Sequence, residues 1–201
     1  MLHHLAGAIP EGRAPRAAAG SQFTDDILVE RIAAGDKLAM QALFARHRVR
    51  VFRFVRGLTG DAALADDVVA DTFLDVWRHA GRYERRCAVS TWLLTIARNK
   101  AVSALRRRPH ATLDEALGIE DPAETPDVAA ERIDRAALLR KCLAALSHEH
   151  REIIDLVYYH EQPIADVAQI VGVPLGTVKT RMFYARKRLA ELLAAAGVDR
   201  A

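Results

Sequence analysis

Residues 163–189, PIADVAQIVGVPLGTVKTRMFYARKRL, constrain what this chain can fold into more than any other stretch. Ile164, Val167, Ala168 and Val171 recur at helical spacing before Gly172, and Val178, Met182, Ala185, Leu189 and Leu192 do so after it. Two short helices joined at a glycine satisfy both periods. Pro163 fits the start of the first, because the first helical position needs no N–H. On the second helix Lys179, Thr180, Phe183, Tyr184 and Lys187 lie on an arc away from the apolar stripe, so one face can pack while the other meets a ligand. This is the layout of a helix-turn-helix, whose second helix fits the major groove of DNA. The same spacing also suits an ordinary surface hairpin of two amphipathic helices.

The rest of the chain reads as helical too. A first domain over 23–108 is expected to hold helices near 25–34, closed by Gly35, then 36–57, 61–80 and 90–107, with Leu38, Leu43, Phe44, Val51, Phe52 and Val55 as the apolar side of the second. A second domain over 131–201 is expected to hold helices near 131–145, 148–160, 164–171 and 175–195. No alternating apolar and polar run is long enough for a strand. The expected class is therefore all-α, two small helical domains. Between them, residues 109–130 carry Pro109, Pro122 and Pro126 with no sustained apolar period, as a flexible acidic linker would. Residues 1–22 read as a disordered extension or as the product of a start codon placed too far upstream.

Charge is distributed unevenly. Residues 61–76 hold five acids and no base, 78–108 hold nine Lys or Arg against Glu84 alone, 109–131 hold seven acids with no Lys or Arg, and 163–193 hold five bases against two acids. A chain that binds nucleic acid through two basic blocks and a protein through an acidic helix has this pattern; solvated helix faces give it as well. With 51% hydrophobic and 27% charged residues the composition is that of a soluble globular protein, and no stretch nears the roughly 20 apolar residues of a membrane span. Cys87 and Cys142 form no C-x-x-C pair, and the N-terminus has no secretory pattern, so a reduced cytoplasm is the simplest setting. Catalysis has little support: none of the eight histidines joins Cys or carboxylates at zinc-site spacing, and there is neither a Gly-rich phosphate loop nor a G-x-S-x-G elbow. No cofactor and no metal are expected.

Longer segments carry a resemblance. Residues 175–189, LGTVKTRMFYARKRL, resemble the recognition helix of region four in bacterial extracytoplasmic-function sigma factors, of the sigma-seventy family, and ALSHEHREIIDLVYYHE at 145–161 resembles the helix that precedes it. DDVVADTFLDVWRHA at 66–80 and STWLLTIARNKAVSALRRR at 90–108 resemble region two. The resemblance spans about 25–195 in the family's order. It implies an alternative sigma factor that binds core RNA polymerase, through the β′ clamp helices and the β flap, and directs initiation at chosen promoter DNA, under an anti-sigma partner.

Residue roles follow from that resemblance. Val68, Val69, Phe73, Val76 and Trp77 form a buried stripe on the acidic helix, leaving Asp67, Asp71 and Asp75 in a row at i, i+4, i+8, a costly arrangement of like charges unless something basic docks there. The family's clamp-helix contact is carried to these three, although Ala70 and Asp71 stand where Gln and Glu are usual. The helix from Ser90, a candidate N-cap, should pack through Leu93, Ile96, Ala97 and Leu105. With the loop at 81–89 its start is expected to capture an unstacked base of the minus-ten element: Asn99 at a base, Arg98, Lys100, Arg106, Arg107 and Arg108 along the backbone, and Trp92 as a stacking surface or a core anchor. Lys179, Thr180, Phe183 and Tyr184 are expected to read the minus-thirty-five element, Tyr184 standing where Arg is frequent, while Arg181, Arg186, Lys187 and Arg188 contact phosphates. The acidic linker should thread the polymerase channel or serve as a plain spacer. Two rival readings are a stand-alone helix-turn-helix regulator and a sigma-like decoy that never initiates.

Overall fold

The computed structural model describes residues 24–107 and 137–197. The first module opens with α1 (Asp25–Ala33), whose first turn is capped by Thr24 accepting from the Ile27 N–H at 3.4 Å. Helix α2 (Lys37–Thr59) begins at Asp36, which accepts from the N–H groups of Leu38 and Ala39, and ends at Gly60. At φ 75 Gly60 occupies the left-handed region, where its N–H returns to the Arg56 carbonyl. Asp61 then caps α3 (Ala62–His79), and a single 3-10 turn over Ala80–Arg82 leads through a loop into α4 (Val89–Arg107). This last helix starts one residue earlier than the Ser90 cap expected from sequence: Ala88 supplies the first carbonyl, to Trp92 N–H at 3.0 Å, and Ser90 lies inside the first turn.

These four helices bury a shared core that includes Leu28, Ile32, Leu43, Phe54, Val68, Phe73, Val76, Leu93 and Ala97. The buried phase of α2 runs Ala39, Leu43, His47, Val51, Phe54, Leu58, so Leu38 falls out of register with it and is 71% exposed rather than packed. His47 enters this core because Asp25 of α1 meets its Nε2 at 2.7 Å. Burial alone would raise the Asp25 carboxyl; the His47 hydrogen bond and charge, with Arg46, outweigh it and hold it below the ordinary carboxylate value.

The second module begins with a helical segment, α5, over 137–144, followed by α6 (His148–Ile154) capped by Ser147. Sequence periodicity predicts one helix over 148–160. Instead the chain widens into a π-helical turn over Asp155–Tyr159, closed by the His160 N–H on the Asp155 carbonyl at 3.0 Å. The wider turn leaves Tyr158 and Tyr159 about half exposed and buries the ring of His160 edge-on against Phe54 of α2, centroids 5.5 Å apart. The hairpin follows as α7 (Ile164–Val171) and α8 (Leu175–Ala195), joined at Gly172 with φ 73 as its glycine predicts. Pro163 and Pro174 sit just before the two helices in extended backbone, one position earlier than expected for Pro163. Among the described residues there is no strand. The expected linker 109–130, the extension 1–22 and Arg108 lie outside them.

The two modules pack on each other. Helix α7 lies along α4, and the π-turn touches α2. Polar groups line this seam. Arg98 of α4 makes a two-pronged ion pair with Glu152 of α6, Nε–Oε1 at 2.5 Å and Nη2–Oε2 at 3.1 Å, and the Glu152 side chain is only 2% exposed. The Thr91 hydroxyl donates to Asp166 Oδ2 at 2.9 Å and lies 3.1 Å from Gln162 Oε1, while the Arg50 guanidinium donates to the His160 carbonyl. Every buried side-chain nitrogen and oxygen among the described residues has a partner.

Candidate nucleic-acid and protein interfaces

Helix α8 separates its two faces cleanly. Val178, Met182 and Ala185 are buried and Leu189 and Leu192 partly so, packing onto α6 and α7. Two neighbouring rows remain on the outside, Lys179, Phe183, Lys187 and Thr180, Tyr184, Arg188, each at i, i+4, i+8 and each exposed. Phe183 is 64% and Tyr184 54% exposed, their rings edge to face at 5.4 Å. Among the described residues nothing covers these large aromatic rings, which stand in water between cations. The remaining expected contacts are engaged at the sides: Arg181 pairs with Glu149 at 2.9 Å, Arg186 donates through Nε to Tyr158 Oη at 2.9 Å, and Arg188 pairs with Glu191 at 3.2 Å.

The acidic row on α3 is divided. Asp67 and Asp71 are exposed, but Asp75 takes the Lys100 ammonium of α4 at 2.7 Å. The sequence reading set Asp75 against a protein partner and Lys100 against DNA; here each answers the other across an open groove between α3 and α4, lined also by Val68, Asn99 and Ser103. Asp67 and Asp71 line the same groove, with Arg107 of α4 also on its wall.

On α4 the expected residues do not share one surface. Asn99, Arg106 and Arg107 are exposed, Trp92 is half-buried with its ring 5.0 Å from Tyr83, and Arg98 is committed to Glu152. The sequence reading missed Tyr83, Thr91, Glu152, Gln162 and Asp166. Glu152 had a usable signal: it stands four residues before Leu156, in phase with the buried side of α6, where a carboxylate requires a base. Burial, and then the Asp166 carboxylate of α7, push the Cys87 thiol above its ordinary value.

Comparison with known proteins decides the family. The profile of Sigma-70 region 2 matches residues 43–110 and that of Sigma-70 region 4 matches residues 142–191. The chain is 36% identical over 180 residues to the ECF RNA polymerase sigma factor SigL of Mycobacterium tuberculosis, covering 86% of this chain and 98% of SigL. This chain belongs to the extracytoplasmic-function sigma factors. The SigM sigma factor of the same organism is 34% identical over 189 residues, covering 92% of this chain and 93% of its own. Among solved structures, CnrH in complex with the cytosolic domain of CnrY superposes with a TM-score of 0.63 at 27% identity over 85% of this chain and 97% of the other. The sigma factor RpoE of Bartonella quintana, solved with the anti-sigma factor NepR, gives 0.63 at 28% identity over 80% and 98%.

The chain is thus an alternative sigma factor that directs transcription initiation, built of sigma regions two and four in an all-helical fold. Sigma factors regulate RNA polymerase and are not themselves enzymes. Among the described residues no group of three or more His, Cys, Asp or Glu is placed to hold a metal ion, and no helix is long and apolar enough to cross a membrane.

Proposed function

We propose that this sigma factor acts in the cytoplasm, docks on core RNA polymerase through Asp67 and Asp71 of α3, with Asp75 released from Lys100 on docking, and reads the minus-thirty-five element with α8. Lys179 and Thr180 meet base edges in the first turns of that helix, Phe183 and Tyr184 meet thymine methyls or sugar, and Arg181, Arg186, Lys187 and Arg188 border the phosphates. The exposed double row on α8 is the observation that carries this reading. Residues 23–108 and 131–201 are the polymerase-binding and minus-thirty-five domains, and 109–130 the tether. The complex of RpoE with its anti-sigma factor supports a similar restraining partner here.

The minus-ten surface requires a change of arrangement. Asn99, Arg106 and Arg107 face outward, but Arg98 cannot reach a phosphate while it holds Glu152, and Thr91 is occupied by region four. The packed form is therefore a resting form, in which carboxylates of α6 and α7 stand where the sugar–phosphate chain will lie. Polymerase, by spacing the two regions over their elements, releases α4. Free protein should accordingly bind promoter duplex weakly at physiological salt, whereas Glu152→Ala should raise its affinity for the single-stranded minus-ten strand.

Run-off transcription from a cognate promoter by core polymerase and this chain tests the whole reading. A promoter-specific transcript is expected, and it should vanish with Asp67→Lys, Asp71→Lys, which should lose core binding while keeping its helical circular dichroism. Holoenzyme assembly by the double variant would contradict the docking assignment.

A further inference from the structure

Two side chains, Tyr83 and Arg85, hold the loop between α3 and α4. Tyr83 projects from its start, and the hydroxyl lies 2.6 Å from the Cys87 carbonyl at its end and 3.0 Å from Asp26 Oδ1 on α1. A phenol carries one proton, and a carbonyl and a carboxylate can only accept. The proton is therefore shared between two acceptors, of which the Cys87 carbonyl is the nearer. That bond ties residues 83 and 87 together across the loop. The Tyr83 ring meanwhile lies against Trp92 in the first turn of α4, so one side chain sets both the loop and the aromatic surface beside it. A second tie, Arg85 to Glu30 of α1, joins two side chains that are both more than half exposed, and it holds the loop only weakly. Arg85 has φ 56, so the loop turns through a backbone region that a non-glycine residue enters only when its surroundings hold it there.

We infer that Tyr83 is a positioning residue for promoter readout: its hydroxyl bond to the Cys87 carbonyl fixes the loop 83–88 in the shape that admits one base of the melted minus-ten strand. This rests on the proposed reading that the loop faces that strand. Asp26 acts in the opposite sense, drawing on the same proton and loosening the bond. The two neighbours of one hydroxyl thus give variants of different sign. Tyr83→Phe keeps the ring against Trp92 but frees the loop. Asp26→Ala leaves the hydroxyl wholly to Cys87 and keeps the loop fastened.

The test uses holoenzyme reconstituted with the full chain and promoter libraries randomised separately in the minus-ten and minus-thirty-five elements, with transcript sequencing as readout. Tyr83→Phe should flatten base preference at one minus-ten position by about 5- to 10-fold, the lower end of a single base discrimination. Its minus-thirty-five preference and its affinity for core polymerase should match the wild type. Asp26→Ala should retain or sharpen the minus-ten preference. A merely structural role for Tyr83 would lower output on all promoters alike, without changing relative preference, and would overturn the inference. Replacing 84–86 by Gly-Ser-Gly separates the two layers. If that replacement leaves minus-ten preference intact, the loop does not read DNA and both readings fail; if it abolishes the preference while Tyr83→Phe does not alter it, only the role of Tyr83 fails.

Discussion

Helices α4 and α8 were both expected to touch DNA, and they stand in opposite conditions. The outward face of α8 is open: Lys179, Thr180, Phe183, Tyr184 and Lys187 are all exposed, and the Thr180 hydroxyl donates only to the Gly176 carbonyl of its own helix. Of the α4 residues expected at DNA, Arg98 is spent on Glu152 and Lys100 on Asp75, while Asn99, Arg106 and Arg107 stay exposed; Thr91, beside them, is spent on Asp166. A buried, hydrogen-bonded ion pair such as Arg98–Glu152 holds a seam weakly in net terms yet is costly to break from one side, because the survivor is left buried and unpaired. On the proposed reading, region four meets duplex DNA as it stands, whereas Arg98 of region two becomes available to the melted strand only when the modules part.

Removing one side of the seam should give the largest effect. Arg98→Ala strands the Glu152 carboxylate and is expected to cost about 3 kcal/mol in chemical unfolding. The double variant Arg98→Ala, Glu152→Ala should recover much of that loss, giving a coupling energy of about 1 to 3 kcal/mol. Additive losses would mean that the seam contributes nothing and that α4 is as free as α8. Next in size, Lys179→Ala should cost about 1 to 3 kcal/mol on the preferred minus-thirty-five sequence and relax specificity at one position. An unchanged preference across a randomised element would remove Lys179 from the base-reading set. Arg186→Ala should differ in kind, weakening all sequences alike and lowering the salt slope of DNA binding by about one.

The smallest expected effect separates region two from region four by pH. Because the folded Asp25 carboxyl is held below its unfolded value, chiefly by His47 once burial is overcome, its contribution is complete above the unfolded value and is lost as pH falls through the folded one. Acid unfolding of the wild type should therefore steepen below about pH 4, the ordinary carboxylate range, and Asp25→Asn should remove about 0.5 kcal/mol of that acid-linked loss of stability. An identical acid profile for the variant would show that the pair is not felt by folding.

Much of this was legible in the sequence, for reasons that also explain what was not. The hairpin at 163–189 could be read because its signals are local: Gly172 needs a left-handed backbone, and apolar residues recur within one helix. The buried stripe Val68, Val69, Phe73, Val76 of α3 was legible on the same grounds, with Trp77 half-buried at its edge. Leu38 misled because an apolar residue in a helix's first turn need not lie in the buried phase, and Ser90 because a good capping residue can lie inside the turn it was expected to cap. The commitment of Arg98 to Glu152, 54 positions away, and of Thr91 to Asp166, 75 positions away, leaves no periodic trace. Basic residues on α4 looked like those on α8 because charge shows what a side chain can bind, and only packing shows what has already bound it.

The contrast between a committed and an uncommitted helix is tested most directly by distance. Ala62 at the start of α3 and Ala190 in α8 are exposed, so single cysteines there, with Cys87→Ser and Cys142→Ala, accept a donor and acceptor dye pair without touching the seam. Energy transfer is expected to be high and narrowly distributed in the free chain, to shift towards lower values with Glu152→Ala, and to fall to a single low value in the open promoter complex. Transfer that stays the same from free chain to open complex, in a holoenzyme that still makes transcript, would contradict the release of α4 from region four.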